Sequence, residues 1–119
     1  MRSISYIIGV MTVCLLSACG QRHTAISLAN DFVEANAADA RLMQDRQFGK
    51  LGITNRLNDS VVDALQQRPN PFYRQDVDYP NYQQGDTLYF VRMSFTHQGD
   101  TLSHTFYLDQ QLKHVVAVK

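Results

Sequence analysis

The run TLYFVRMSFTHQGDTLSHTFYL, residues 87–108, decides the fold. In its first half Tyr89, Val91, Met93 and Phe95 alternate with Phe90, Arg92, Ser94 and Thr96, the period of a strand with one side turned inward. Its second half puts Leu102, His104, Phe106 and Leu108 on one side, with Ser103, Thr105 and Tyr107 on the other. Between the halves, Gln98-Gly99-Asp100 reads as a tight turn. Folding the run about that turn sets 89, 91, 93 and 95 opposite 108, 106, 104 and 102. The apolar sets then share one face, and a slip of one residue would send one set to the other side. This is a β-hairpin with a buried face.

Beyond the hairpin, Asp109-Gln110-Gln111 turns the chain again. Leu112–Val118 reads as a last strand, whose register the pattern leaves open. Upstream, residues 69–86 hold all three prolines with Phe72, Tyr73, Tyr79 and Tyr82. That composition predicts extended chain and turns, with an edge strand around Tyr73–Asp78. Asp59 to about Gln67 reads as a helix, with Val61, Val62 and Leu65 as its stripe. Asn58 suits its N-cap, Asp59 suits the positive end of its dipole, and Pro69 and Pro71 end it.

A further helix is predicted from Thr24 to about Ala38. Ala25, Leu28, Ala29, Phe32, Val33 and Ala37 recur at three- and four-residue spacing along one stripe. His23 or Thr24 could cap its start. It ends near Ala38 or runs on through Ala40, Leu42 and Met43, and Gly49 and Gly52 stop anything beyond Lys50. The order predicts an α+β fold: two N-terminal helices packed on the apolar face of a three- to four-stranded antiparallel sheet.

Composition bounds the rest. At 119 residues there is room for one ordinary core and not two. A content of 45% hydrophobic and 18% charged residues suits a folded chain. Eleven Lys and Arg balance eleven Asp and Glu, so the surplus of clustered cations that nucleic acid requires is missing. The same balance removes polybasic attraction to a membrane.

The first nineteen residues are of another kind. Met1-Arg2 gives a short positive start, and residues 7–16 are an apolar stretch too short for a stable span of roughly 20 residues. The stretch closes on Leu16-Ser17-Ala18-Cys19, which resembles the lipobox of bacterial lipoprotein precursors. That resemblance implies a signal peptide over 1–18, lipid on the Cys19 sulfur, an acylated tether over 19–23 and a single α+β domain over 24–119. Cys14 would leave with the leader, so no free thiol would remain for catalysis, disulfides or metal binding. Two or more acyl chains hold a protein on a membrane stably, at about 0.8 kcal/mol per buried methylene. Gly20 stands where an inner-membrane retention signal has Asp, and no acidic cluster follows. The implied address is therefore the outer membrane, facing the periplasm.

The order of elements also resembles the cystatin-like and nuclear-transport-factor-2-like architecture, in which a long first helix lies across a curved antiparallel sheet. It is similar, too, to small bacterial lipoproteins that end as Thr105–Asp109 and Val115–Lys119 do here.

Chemistry is harder to find. His104, among Leu102, Phe106 and Met93 on the apolar face, is the one candidate for catalysis, and a buried core histidine is the plainer reading. His97 and His114 have no second histidine at ligand spacing, so no metal site is expected. Asp76, Asp78 and Asp86 fail as a calcium loop, because Tyr79-Pro80 stand where ligands belong and the twelfth position is Thr87. There is no nucleophile elbow and no phosphate loop, and no cofactor is expected.

Phe72, Tyr73, Tyr79 and Tyr82, flanked by amides and prolines, could stack on sugars or hold an extended peptide. Asp59-Ser60-Val61, Asp86-Thr87-Leu88 and Asp100-Thr101-Leu102 share a pattern that resembles a bacterial O-glycosylation signal, making Ser60, Thr87 and Thr101 candidates. Asp before a hydroxyl residue also suits helix starts and turn exits. The expected role is a membrane-anchored, non-enzymatic module for a protein, peptide or glycan. The alternative is a small isomerase- or hydrolase-like enzyme with a helix–sheet pocket around His104.

Overall fold

The computed structural model describes residues 20–55, 57–80 and 87–119. Residues 20–36 are helical (α1), and a one-turn 3-10 helix follows over Ala40–Leu42. Then come β1 (Gln44–Phe48), β2 (Gly52–Thr54), helix α2 (Asp59–Gln67), β3 (Leu88–His97), β4 (Asp100–Leu108) and β5 (Val115–Val118). The fold is α+β.

The hairpin has the expected register: Tyr89 faces Leu108, Val91 faces Phe106, Met93 faces His104 and Phe95 faces Leu102. Its turn is the two residues Gln98 and Gly99, with φ of 52° and 84°. Positive φ at both central positions matches the right-handed twist of the flanking strands, and glycine alone adopts it without strain.

The antiparallel sheet has five strands rather than three or four, in the order β1-β3-β4-β5, with β2 also on β3. Strands β1 and β2 lie along the same edge of β3, one opposite residues 93–96 and the other opposite 88–90. Both fall where the sequence offered only a continuation of the first helix, to be stopped by Gly49 and Gly52. At Gly52 the Phe90 ring lies so close that a Cβ there would meet it at 2.3 Å, so this position needs glycine unless the ring moves.

Two helix expectations are corrected. Helix α1 is already formed at residue 20, and the Thr24 hydroxyl donates to the Gly20 carbonyl from inside it (2.9 Å), so neither His23 nor Thr24 is its cap. It also ends at residue 36 without running on. Helix α2 has the predicted bounds, and the Asn58 side chain accepts from the Val61 amide at 2.9 Å. It lies between β2 and β3 in the chain, however, so the helices are not both N-terminal.

The helices also take opposite faces of the sheet. Ala25, Ala29, Phe32 and Val33 of α1 join Val91, Met93, Phe95, Phe106 and Leu108 in the main core. Val62 of α2 packs instead with Leu88 and Val116, flanked by Leu57 and Tyr107. Leu88 is out of phase with Val91, so it faces the other way. Full burial of each large side chain contributes about 1.5–3 kcal/mol, so the α1 face carries most of the stability.

The last strand is shorter than expected, and all four of its residues are buried. A register shift between Tyr107 and Leu108 explains this: Leu108 faces Val115 while Tyr107 faces Ala117, leaving Val116 as an extra residue. Val115 and Val118 then reach one core and Val116 the other. The expected edge strand over 73–78 is a single bridge, Ala37 to Tyr73.

Candidate functional site

Residues 68–80 run irregularly beside the α1 face. Pro69 and Pro71 forbid helix there, and Asn70 shapes the turn: its side chain accepts from the Phe72 amide and its carbonyl from the Tyr73 amide, both at 3.0 Å. The segment is fastened to the end of α1. Ala38 N–H donates to the Phe72 carbonyl and Arg74 N–H to the Asn36 carbonyl, both at 2.9 Å, and the Arg74 guanidinium donates to the Ala35 carbonyl.

This clamp drives the aromatic side chains inward. Tyr73 is buried, tilted against Phe32 at 5.5 Å between ring centroids. Phe72 makes edge contacts to Phe95, His97 and His104 at 5.3, 5.1 and 5.5 Å. Tyr79 stacks on Phe32 at 5.8 Å. The three aromatics expected as a binding surface therefore serve mainly as the rim of the core, and Tyr82 lies outside the described residues.

At the centre, Tyr73 Oη lies 3.0 Å from His104 Nδ1. His104 is 9% exposed, with the Phe95 ring 5.0 Å away. Burial holds the imidazole below the ordinary histidine value and pushes the Tyr73 phenol up, helped by Tyr79 and opposed by Arg46. Both groups are therefore neutral at pH 7. Either the phenol donates to Nδ1 or Nδ1–H donates to the phenol, and each arrangement satisfies the pair.

Two open grooves flank the segment 68–70. One, of about 340 Å³, is lined by Leu65, Gln66, Tyr73, Arg74, Val77 and Tyr79 among others. The other, of about 350 Å³, has Phe72, Leu102, Ser103, His104 and Lys119 in its walls. Arg68, Pro69, Asn70 and Val118 line both. Among the described residues no Asp or Glu side chain lines either groove. His104 thus reaches a groove wall with Tyr73 as its hydrogen-bond partner.

The remaining candidates are dispersed. Ser60 is exposed in the first turn of α2, Thr101 is exposed beside the hairpin turn, and Thr87 is half-buried just before β3. Asp76 and Asp78 are exposed, and Asp86 and Cys19 lie outside the described residues. His97 Nδ1 is 3.3 Å from the Leu42 carbonyl, and His114 is exposed just before β5. Among the described residues no three His, Cys, Asp or Glu side chains gather as a metal site would need, and no helix is long and apolar enough to cross a membrane.

Three basic residues were not singled out in the sequence. Arg46 donates to the Met43 and Ala40 carbonyls and to Asn30 Oδ1, and pairs with Glu34 at 2.9 Å, tying β1 to α1. Arg68 and Arg74 supply the grooves' charge. Nothing in their sequence neighbourhood sets them apart from other surface arginines, since only the fold brings 68–74 beside β5.

No family model matches this chain, and neither does any curated protein or solved structure.

Proposed function

We propose that this chain is a lipid-anchored envelope protein, carried on the outer membrane by acylated Cys19 and facing the periplasm. Its domain is a non-enzymatic module for a protein, peptide or glycan partner. The anchor rests on the ordered signal in residues 1–19: basic start, apolar core, small residues, cysteine. The binding role rests on one observation above the others. The histidine–phenol pair is spent on itself within an aromatic shell, while the grooves beside it open to solvent and, among the described residues, are lined by arginine and amide side chains with no Asp or Glu. A binding groove needs only shape, amides and charge.

The cystatin-like or nuclear-transport-factor-2-like reading belongs here as well. A first helix on one face of an antiparallel meander is in keeping with it, and α2 on the opposite face departs from it. Ser60 and Thr101 present exposed hydroxyls for O-glycosylation, and Thr87 a half-buried one. Intact mass of the native protein would exceed the acylated polypeptide if any is modified, and would equal it if none is.

The partner reading is tested by pull-down from solubilised envelopes, comparing the native protein with Arg68→Glu, an exposed side chain that the segment's turn does not use. Loss of captured proteins or glycans in the variant supports a groove partner, and identical captures dismiss the grooves. Alanine at Tyr73 or Phe72 is unsuitable as a probe, since both rings pack in the core rim.

A second reading has one observation in its favour: His104 forms part of a groove wall beside Tyr73. If His104 is the base of an isomerase- or hydrolase-like enzyme, His104→Gln abolishes turnover while partner capture is unchanged. Under the first reading capture is likewise unchanged and there is no turnover to lose.

A further inference from the structure

We infer that the paired grooves astride Arg68-Pro69-Asn70 take an extended, acidic peptide, which adds alongside the outer edge of β5 at Val118. This rests on the binding-module reading above and gives it a ligand class.

The first support is backbone geometry. β5 is the terminal strand of the sheet. Thr105 and Lys119 exchange both ladder hydrogen bonds, at 3.0 and 2.9 Å. The next pair, Phe106 and Val118, is therefore of the non-hydrogen-bonded kind, so the N–H and C=O of Val118 point away from β4 toward the edge. Two residues back, the Val116 carbonyl already receives a bond from outside the sheet, from Gln66 Nε2 at 2.9 Å. That bond closes the edge at Val116 with α2 itself, so an added chain would meet β5 at Val118 alone. Val118 itself lines both grooves, so an extended chain lying there can continue the ladder.

The second support is charge. Arg68 contributes to both grooves and Arg74 to one, and among the described residues no Asp or Glu side chain lines either. Asp76 and Asp78 follow on the same segment and line neither groove. Among the described residues, ion pairs are made by Arg41 and Arg46, and Arg68 has no side-chain partner. An exposed arginine fork is suited to a carboxylate, which it holds with two parallel bonds. Arg74, by contrast, already donates to Ala35 and acts as wall and field. The side amides of Gln67 and Gln75 can meet peptide backbone, and Leu65, Val77 and Tyr79 give shallow apolar footing for alternate side chains.

The test uses the full chain in detergent and three labelled probes: a ten-residue peptide of alternating Glu and Ser, its Lys and Ser counterpart, and polygalacturonate as an anionic glycan. The Glu peptide is expected to bind at least about tenfold more tightly than the Lys peptide, and to weaken as salt rises from about 0.05 to 0.3 M. Arg68→Glu removes that preference while its thermal melt matches the native protein, because the side chain it replaces is exposed. Equal binding of both peptides, or an Arg68→Glu variant that still prefers the Glu peptide, overturns the inference. Binding of polygalacturonate without the Glu peptide also overturns it, yet leaves the module reading standing. If no probe binds and the pull-down is empty as well, both are overturned.

Discussion

Tyr73 and His104 are 31 positions apart in the chain, and a single 3.0 Å contact joins the irregular segment to the centre of β4. Removing the hydroxyl leaves His104 Nδ1 without its partner in a largely dry site. Tyr73→Phe should therefore cost about 1–3 kcal/mol in urea unfolding. The double variant Tyr73→Phe/His104→Leu, which leaves no unpaired polar atom, should cost less than the two single changes together. The same pair sets a pH dependence. Burial lowers the His104 value in the folded chain below the ordinary 6.5, so the unfolded chain takes the proton more readily. Stability is full above the ordinary value, and it declines as pH falls through the window between 6.5 and the lower folded value. Urea midpoints measured from about pH 7.5 to pH 5 should fall less in His104→Leu than in the native protein.

At the scale of elements, local chemistry decides which pieces were legible in the sequence. The hairpin declares itself because both of its strands alternate and its turn contains glycine. Gly99 has φ of 84° with open space around its missing side chain, so Gly99→Ala should cost about 1 kcal/mol through backbone strain alone. Gln98→Asn, which tolerates positive φ better, should raise the denaturation midpoint. Helix α2 was legible from Asn58 and the two prolines that bracket it, and Asn58→Ala should cost about 1 kcal/mol by losing the bond to Val61. Strand β1 was not legible. Gln44-Asp45-Arg46-Gln47-Phe48 is polar on both sides of an edge, and Asp45 at φ 55° interrupts its pleat. Ala40, Leu42 and Met43 just before it carry a helical spacing that tertiary contacts override, with Arg46 drawing the turn onto α1. The register of β5 was hidden because one extra residue sends two neighbouring valines to opposite cores.

In the whole molecule, α+β class follows from the hairpin and the two amphipathic helices, whereas the placement of α2 on the far face does not. Val62 and Leu88 are too few to distinguish a second small core from the first by pattern alone. The grooves, likewise, are properties of the assembled fold: Arg68, Asn70 and Val118 meet only after β5 has docked beside α2. The proposed function combines a tether with a receptive edge, and the tether is the premise that gives the edge its setting. Growing cells with labelled palmitate and following the native chain alongside Cys19→Ser tests that premise directly. The account predicts label on a shortened native protein in the outer-membrane fraction, and an unlabelled, unprocessed variant. A native protein that stays unlabelled, with Cys19→Ser maturing and fractionating as it does, would contradict it.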